Sequence, residues 1–355
     1  MENILLLAHT EADGSLAKAG LEALATALTL GGALTVGLVG AATGAAAEQI
    51  AGCGAARFLA VTGEAFGQPR YATDAAAAEA LCRAADCPIV IAAGTSRWAR
   101  ALPGVAYRLG GRVDTHATSL ALAAGGAPAV TRWFYRQRME AVLSRTQRPW
   151  VVLLDPGCVA PWASDTPNAP GAAGAAGTVT VEAVSVEPPA TRTTVTGYRA
   201  PKADEQTIRP DAKVLLVAGA GWTKKQADGA VHAAEAEQLI LGFLRKAQAS
   251  LGGSKSVVDL SGEGEAVLHC MTHMNQVGQT GSTPRHAKGL STCCHGEEPH
   301  VVGWRFVNQR RAINLDAGCG WARGKADVLY VADAFEVMRR VNALLAVEPF
   351  PACVL

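Results

Sequence analysis

Residues 3–40, NILLLAHTEADGSLAKAGLEALATALTLGGALTVGLVG, decide the fold. Residues 3–8 (NILLLA) are an unbroken apolar run, as expected of a strand buried on both faces. Residues 15–30 carry helical periodicity, and 34–40 (LTVGLVG) form a second apolar run. A strand, a helix and a strand at this spacing predict two parallel strands joined by a crossover helix. The pattern continues outward, with strands expected at 57–61 and 88–93 (PIVIAA) and alanine-rich helical segments between them. The strand ending at Ala93 runs into GTSRWARALPGVAYRL, where a loop meets a helix N-terminus. The fold class that follows is α/β, beginning with a doubly wound, parallel-sheet domain of nucleotide-binding type.

From Val151 the texture changes. Residues 151–157 (VVLLDPG) read as one more strand, but 161–178 are rich in Pro, Gly and Ala and read as a loop or linker. Residues 178–186 (TVTVEAVSV) alternate like a half-exposed strand, and the stretch after them is again linker-like. A second α/β unit opens at 213–218 (KVLLVA). It continues with a helix around 230–249 and strands expected at 256–260, near 312–315 and at 327–331. These readings place a boundary near residue 205, giving domains 1–204 and 205–355. A chain of 355 residues suits two cores better than one.

Composition narrows the function class. Nearly half the chain (49%) is hydrophobic but only 5% is aromatic, so the cores are expected to be built from Ala, Val and Leu. Thirty-two basic and 31 acidic side chains leave a formal charge of +1, which provides no field to draw nucleic acid or an anionic membrane surface. MENILLLAHTEADG lacks the pattern of a signal peptide, and nowhere do 18 apolar residues run together. The nine cysteines, at 53, 82, 87, 158, 270, 293, 294, 319 and 353, are scattered and odd in number. That distribution fits reduced thiols and a cytoplasmic location better than a disulfide framework.

Chemistry-bearing residues gather in the second unit. The strand VLLVA runs into Gly219-Ala220-Gly221, a glycine pair that lets backbone amides approach a phosphate or a flavin edge. Lys224 stands where a third glycine would complete a dinucleotide fingerprint, so a tight turn is an equal reading. Residues 275–300, NQVGQTGSTPRHAKGLSTCCHGEEPH, read as a loop. In it Val277-Gly278-Gln279-Thr280-Gly281 brackets an amide and a hydroxyl with glycines and suits a flat polar ligand, although an ordinary surface turn has the same composition. Beyond it come His295-Gly296-Glu297-Glu298-Pro299-His300, then Asn314 and the pair Asp333-Ala334 near expected strand ends. Polar residues at the carboxyl ends of parallel strands meet at one ligand crevice.

This set resembles the flavin-binding domain of the electron transfer flavoprotein alpha subunit. QVGQTG, a histidine 20 residues beyond Thr280, an asparagine 14 beyond that histidine, and the closing Asp327 and Asp333 are spaced as in the family. NILLLAHTEADG, TSRWARALPGVAYRLGGRV and PAVTRWFYR…RPWVVLLDPG follow the family's order in the first half, so the resemblance covers nearly the whole chain. It implies FAD, with Gln279 and Thr280 along the isoalloxazine and His300 facing its pyrimidine side. It also implies that residues 295–299 lie around the ribityl and diphosphate, and that Asn314 and Asp333 hold the adenosine end. Ser254-Lys255 sits where the family has Ser-Arg. The implied partners are a beta subunit, a flavin-dependent dehydrogenase and a quinone-linked acceptor, with no nucleic acid and no membrane insertion. An ordered cation beside a flavin favours its anionic reduced forms.

Departures are as informative. Lys255 replaces a planar guanidinium with a flexible point charge. Gly219-Ala220-Gly221 stands for the family's Gly-Arg-Gly, and Cys293-Cys294-His295-Gly296-Glu297-Glu298-Pro299 replaces a small apolar loop. Residues 275–300 also hold two adjacent cysteines and three histidines, His286, His295 and His300, which look like a metal site. Cys270, Cys293, Cys294 and Cys319, with His269 and His295 close in sequence, carry a competing reading as iron–sulfur or zinc ligands. No CxxC supports it, and packing is the commoner use of such cysteines. Three functional readings follow: a shuttling electron carrier, a subunit fixed to a larger methylated-amine (for example dimethylglycine-type) dehydrogenase, and a nucleotide-binding sensor without redox chemistry.

Overall fold

The computed structural model describes residues 1–134, 139–164, 179–197, 208–209, 212–258, 266–277, 283–292, 306–318 and 326–347, without the side chains of 255 and 256. The chain divides into two compact units, Met1–Tyr198 and Arg199–Leu355.

The first unit begins with β1 (Ile4–His9), α1 (Lys18–Thr29), β2 (Leu34–Gly40), α2 (Gly44–Gln49), β3 (Arg57–Thr62), α3 (Glu64–Gly67), α4 (Tyr71–Ala85), β4 (Ile89–Ala93) and α5 (Ser96–Arg108). It ends with β5 (Arg112–Leu122), β6 (Pro128–Phe134), β7 (Met139–Leu143), β8 (Trp150–Leu154) and β9 (Val181–Ala183). The nine strands form one sheet in the order β7-β6-β5-β8-β4-β1-β2-β3-β9. It is parallel from β5 to β9, while β6 and β7 are antiparallel. The apolar run of β1 explains its central place. Ile4, Leu6 and Ala8 enter the core on one face, together with Leu24 and Ala27 of α1. Leu5 and Leu7 enter the core on the other, with Leu81 of α4 and Leu102 of α5. A strand buried on both faces has no polar side to present, which is why it reads as continuous rather than alternating.

Two parts of this unit escape the sequence pattern. β5, β6 and β7 are half-exposed, so their apolar residues are diluted by polar ones. The alternating run 178–186 shortens to the three residues of β9 on the sheet's edge, where Glu182 accepts from Arg57 at 2.8 Å.

The second unit contains β10 (Val214–Ala218), α6 (Ala233–Ala247), β11 (Ser250–Gly253), α7 (Lys255–Val258), β12 (His286–Thr292), β13 (Val307–Asn314), β14 (Val328–Val331) and α8 (Ala334–Val347). Its strands are all parallel, in the order β11-β10-β12-β13-β14. The α/β architecture expected from sequence is therefore present, with a large, mostly parallel sheet and a second parallel sheet. α6 and α8 pack together, with Asn342 donating to the Leu239 carbonyl at 2.9 Å and Arg339 paired to Glu235 at 2.6 Å.

The structure corrects two expectations here. The β-branched run expected as a strand at 256–260 opens as the helical turn α7, and the strand lies at β11, SLGG. The segment packed on it comes close to both of its glycines. A Cβ on Gly252 would lie 2.3 Å from Val277, and one on Gly253 would lie 2.2 Å from Met271. Propensity loses here to close approach. The second correction concerns 275–300, which is not a loop throughout, since it contains the central strand β12. HAKGLST has neither alternation nor an apolar run, and its place comes from pairing with β10 and β13.

Candidate functional site

Because all five strands of the second sheet run the same way, their carboxyl ends share one edge. Numbered within the unit, the strand order is 2-1-3-4-5, and the chain reverses direction across the sheet between β10 and β12. That switch point is where open α/β sheets receive ligands.

At the end of β10, Gly219 donates its N–H to the Thr292 carbonyl at 2.8 Å, while the Ser254 N–H returns to the Ala218 carbonyl at 3.0 Å. The ends of β10, β11 and β12 are thereby locked together. Gly219 is followed by a buried 3₁₀ turn, Ala220–Thr223, in which Gly221 accepts from the Gln226 amide at 3.0 Å. Neither glycine has a positive φ. The turn thus has the compact form allowed for by the sequence.

Ser254 is 6% exposed, and its hydroxyl has no hydrogen-bond partner among the described residues. A buried hydroxyl left unpaired is destabilising, and such groups in native structures call for a ligand or another explanation. Val277 is buried beside it, its N–H bonded to the Gly253 carbonyl at 3.1 Å. Asn275 fastens this segment to β11, because its side-chain amide donates to the Leu251 carbonyl at 3.1 Å.

At the other end of the edge, Asn314 is buried at the end of β13 and its Oδ1 accepts the Asp316 N–H at 3.0 Å. Asp333 caps α8 by accepting the Glu336 N–H at 3.0 Å, with Ala334 buried beside it. Gln226, Asn314, Leu315, Asp333 and Phe335 line a small cleft there. The structure thus places Gly219, Gly221, Ser254, Val277, Asn314, Asp333 and Ala334 along one edge. With strands about 4.8 Å apart, Ser254, just past β11, and Asn314, at the end of β13, stand roughly 14 Å from each other along it. A set of polar groups spread so far suits an elongated ligand better than a compact one. Gly278, Gln279, Thr280, Gly281, Cys293, Cys294, residues 295–300 and Cys319 lie outside the described residues, as does the side chain of Lys255.

The metal reading gains nothing from the residues that are described. His286 is fully buried with Nδ1 2.9 Å from the Pro284 carbonyl and Nε2 2.9 Å from the Arg209 carbonyl, so both ring nitrogens are engaged. This overturns its place in the histidine set. Burial and Glu237 push the Cys270 thiol up to about 11. Among the described residues, no three His, Cys, Asp or Glu side chains gather to hold a metal ion.

Sequence reading missed Trp222 and Thr292. The Trp222 indole, fully buried, donates to the Thr292 hydroxyl at 2.7 Å and packs on Phe335 with ring centroids 4.6 Å apart. A large aromatic directly after a glycine turn at a strand end was the available signal.

Residues 4–189 match the family model of the electron transfer flavoprotein domain. No curated protein matches the chain. Among the described residues, no helix is long and apolar enough to cross a membrane.

Proposed function

Because the chain belongs to the electron transfer flavoprotein family, we propose that it is the alpha-type subunit, binding FAD along the carboxyl edge of its second sheet. The family is flavin-associated, and an electron-transfer role follows from membership. The finer reading rests on the convergence of Ser254, Asn314 and Asp333 at strand ends on both sides of the switch point. The observation that carries it is the buried Ser254 hydroxyl without a partner among the described residues. It fits an acceptor-rich group such as a diphosphate oxygen, to which an O–H donates.

In this reading the Gly219 turn brings backbone close to the ligand, Ser254 and Lys255 face the polar middle of the cofactor, and Asn314 with Asp333 holds the adenosine end. Gln279, Thr280 and His300 take the flavin end by resemblance. FAD supplies the redox chemistry, and the chain supplies position, charge and exclusion of water. The first unit and the segments joining it to the second contact a beta-type subunit. The donor is a flavin-dependent dehydrogenase and the acceptor is quinone-linked.

The test is an absorption spectrum of the purified full chain with its co-purifying partner, with FAD and iron assayed on the same sample. Stoichiometric FAD without iron is expected. Absence of flavin would refute the assignment, and stoichiometric iron would restore the cluster reading.

A further inference from the structure

We propose that Trp222 is a positioning residue for the cofactor, acting through Thr292 at the switch point of the second sheet. The inference rests on the flavin reading of that edge. Trp222 lies in the 3₁₀ turn after β10, and Thr292 is the last residue of β12. Those are the two strands between which the order reverses. The hydrogen bond between them, at 2.7 Å, therefore ties the carboxyl ends of those two strands together. Thr292 is held from three directions: its hydroxyl receives the indole N–H, the same hydroxyl lies 3.4 Å from the Val217 carbonyl, and its own carbonyl receives the Gly219 N–H at 2.8 Å. Both side chains are fully buried, so the bond is screened little by water.

Two features separate this from ordinary core packing. First, the core needs only an apolar side chain at 222. A tryptophan there must satisfy its N–H, and it does so on the strand end at the ligand edge instead of on a nearby backbone carbonyl of its own turn. Second, the ring reaches Phe335, which follows Asp333 and Ala334 and lines the cleft with Asn314 and Asp333. One indole thus connects β10, the end of β12 and the start of α8. Those elements carry Gly219 at the middle of the edge and Asp333 at its far end. Moving the indole shifts the spacing of the two parts that an elongated ligand must meet together. A shift of that kind weakens binding without removing a group that touches the ligand.

The experiment uses the full chain with its partner, flavin removed and returned by titration. Trp222→Phe keeps the ring against Phe335 but loses the N–H, and Thr292→Val loses the acceptor. Each is expected to raise the Kd for FAD roughly five- to tenfold, as removal of one buried hydrogen bond allows. The double variant is expected to lose no more than either single one, because both remove the same interaction. Phe243→Leu, in the same core but on α6, serves as the control. It lowers the denaturation midpoint and leaves the Kd within twofold. A flavin-loaded wild type with Trp222→Phe unchanged overturns the inference alone. So does a Kd that rises equally in Phe243→Leu, since general loosening would then explain both. A wild-type complex that takes up no FAD overturns the underlying reading and the inference with it.

Discussion

In the first unit, the carboxyl ends of the strands are tied to one another. His9 ends β1 and its Nε2 lies 3.2 Å from the Thr95 hydroxyl, which also caps α5 by accepting the Trp98 N–H at 3.3 Å. Thr10 donates to the Ala42 carbonyl at 3.0 Å, and a Cβ on Gly40 would sit 1.9 Å from the Thr10 hydroxyl. Arg97, in the first turn of α5, makes a buried ion pair with Asp74 at 2.7 Å. In the second unit, the corresponding edge keeps a buried serine hydroxyl without a partner among the described residues. The first edge pairs its buried charge internally, with Asp74 Oδ2, which has no hydrogen bond, still facing Arg100 at 3.8 Å, whereas the second leaves a neutral hydroxyl with no partner among the described residues. The contrast also separates two kinds of inference: residues 4–189, which the family model matches, carry the closed edge, while the open edge is read from its own residues.

Breaking the closed edge is expected to have the largest effect. Asp74→Ala leaves the Arg97 guanidinium buried without its carboxylate, at a cost of about 3–5 kcal/mol in urea unfolding. A loss below about 1 kcal/mol would mean that the pair contributes little to closing this edge.

His9 gives the next effect, and it appears with pH. Burial, with Arg97 beside it, lowers its pKa from 6.5 to about 4. The folded unit therefore favours the neutral ring. The stability this provides is present above pH 6.5 and is lost as the pH falls toward 4, on the order of 2–3 kcal/mol. Thermal melts across that range should show a slope that His9→Gln removes.

The open edge should respond in the opposite sense. Ser254→Ala removes an unpaired buried hydroxyl, so the flavin-free protein should be unchanged or stabilised by up to about 1 kcal/mol, while FAD retention falls. Loss of stability together with unchanged FAD content would place Ser254 with the structural residues and erase the contrast.

The smallest effect belongs to Glu22, buried on α1, whose Oε2 accepts the Gly157 N–H at 2.6 Å. Burial raises its pKa, so the stability it provides is full below the ordinary carboxyl range and is lost as the pH rises through the raised value. Glu22→Gln should raise Tm slightly at pH 7, with the gain vanishing in acid.

Legibility in the sequence followed the number of buried faces. β1, β2, β4 and β8 were readable because burial on both sides writes an unbroken apolar run. β11 and β12 were not. SLGG is held by the close approach of Val277 and Met271, and HAKGLST by its neighbours in the sheet, neither of which is a local property. The histidine at 286 looked like a ligand because composition cannot reveal that two backbone carbonyls flank it. Asn314 and Asp333 could be named beforehand because residues that end strands in a parallel sheet converge whatever the details of the core, whereas Ser254 was named by resemblance alone, its strand having been expected at 256–260.

The sequence by itself determined the α/β class and the polar residues that gather near strand ends, because periodicity and strand–helix alternation are written locally. Only the tertiary structure decided that β12 is the central strand of the second sheet, that His286 is a packed residue, and that Trp222 bridges the switch point. Each of these depends on partners 70 or more residues away, Arg209 for His286 and Thr292 for Trp222, or on strand pairing with β10, and no window of sequence contains both sides of such a contact.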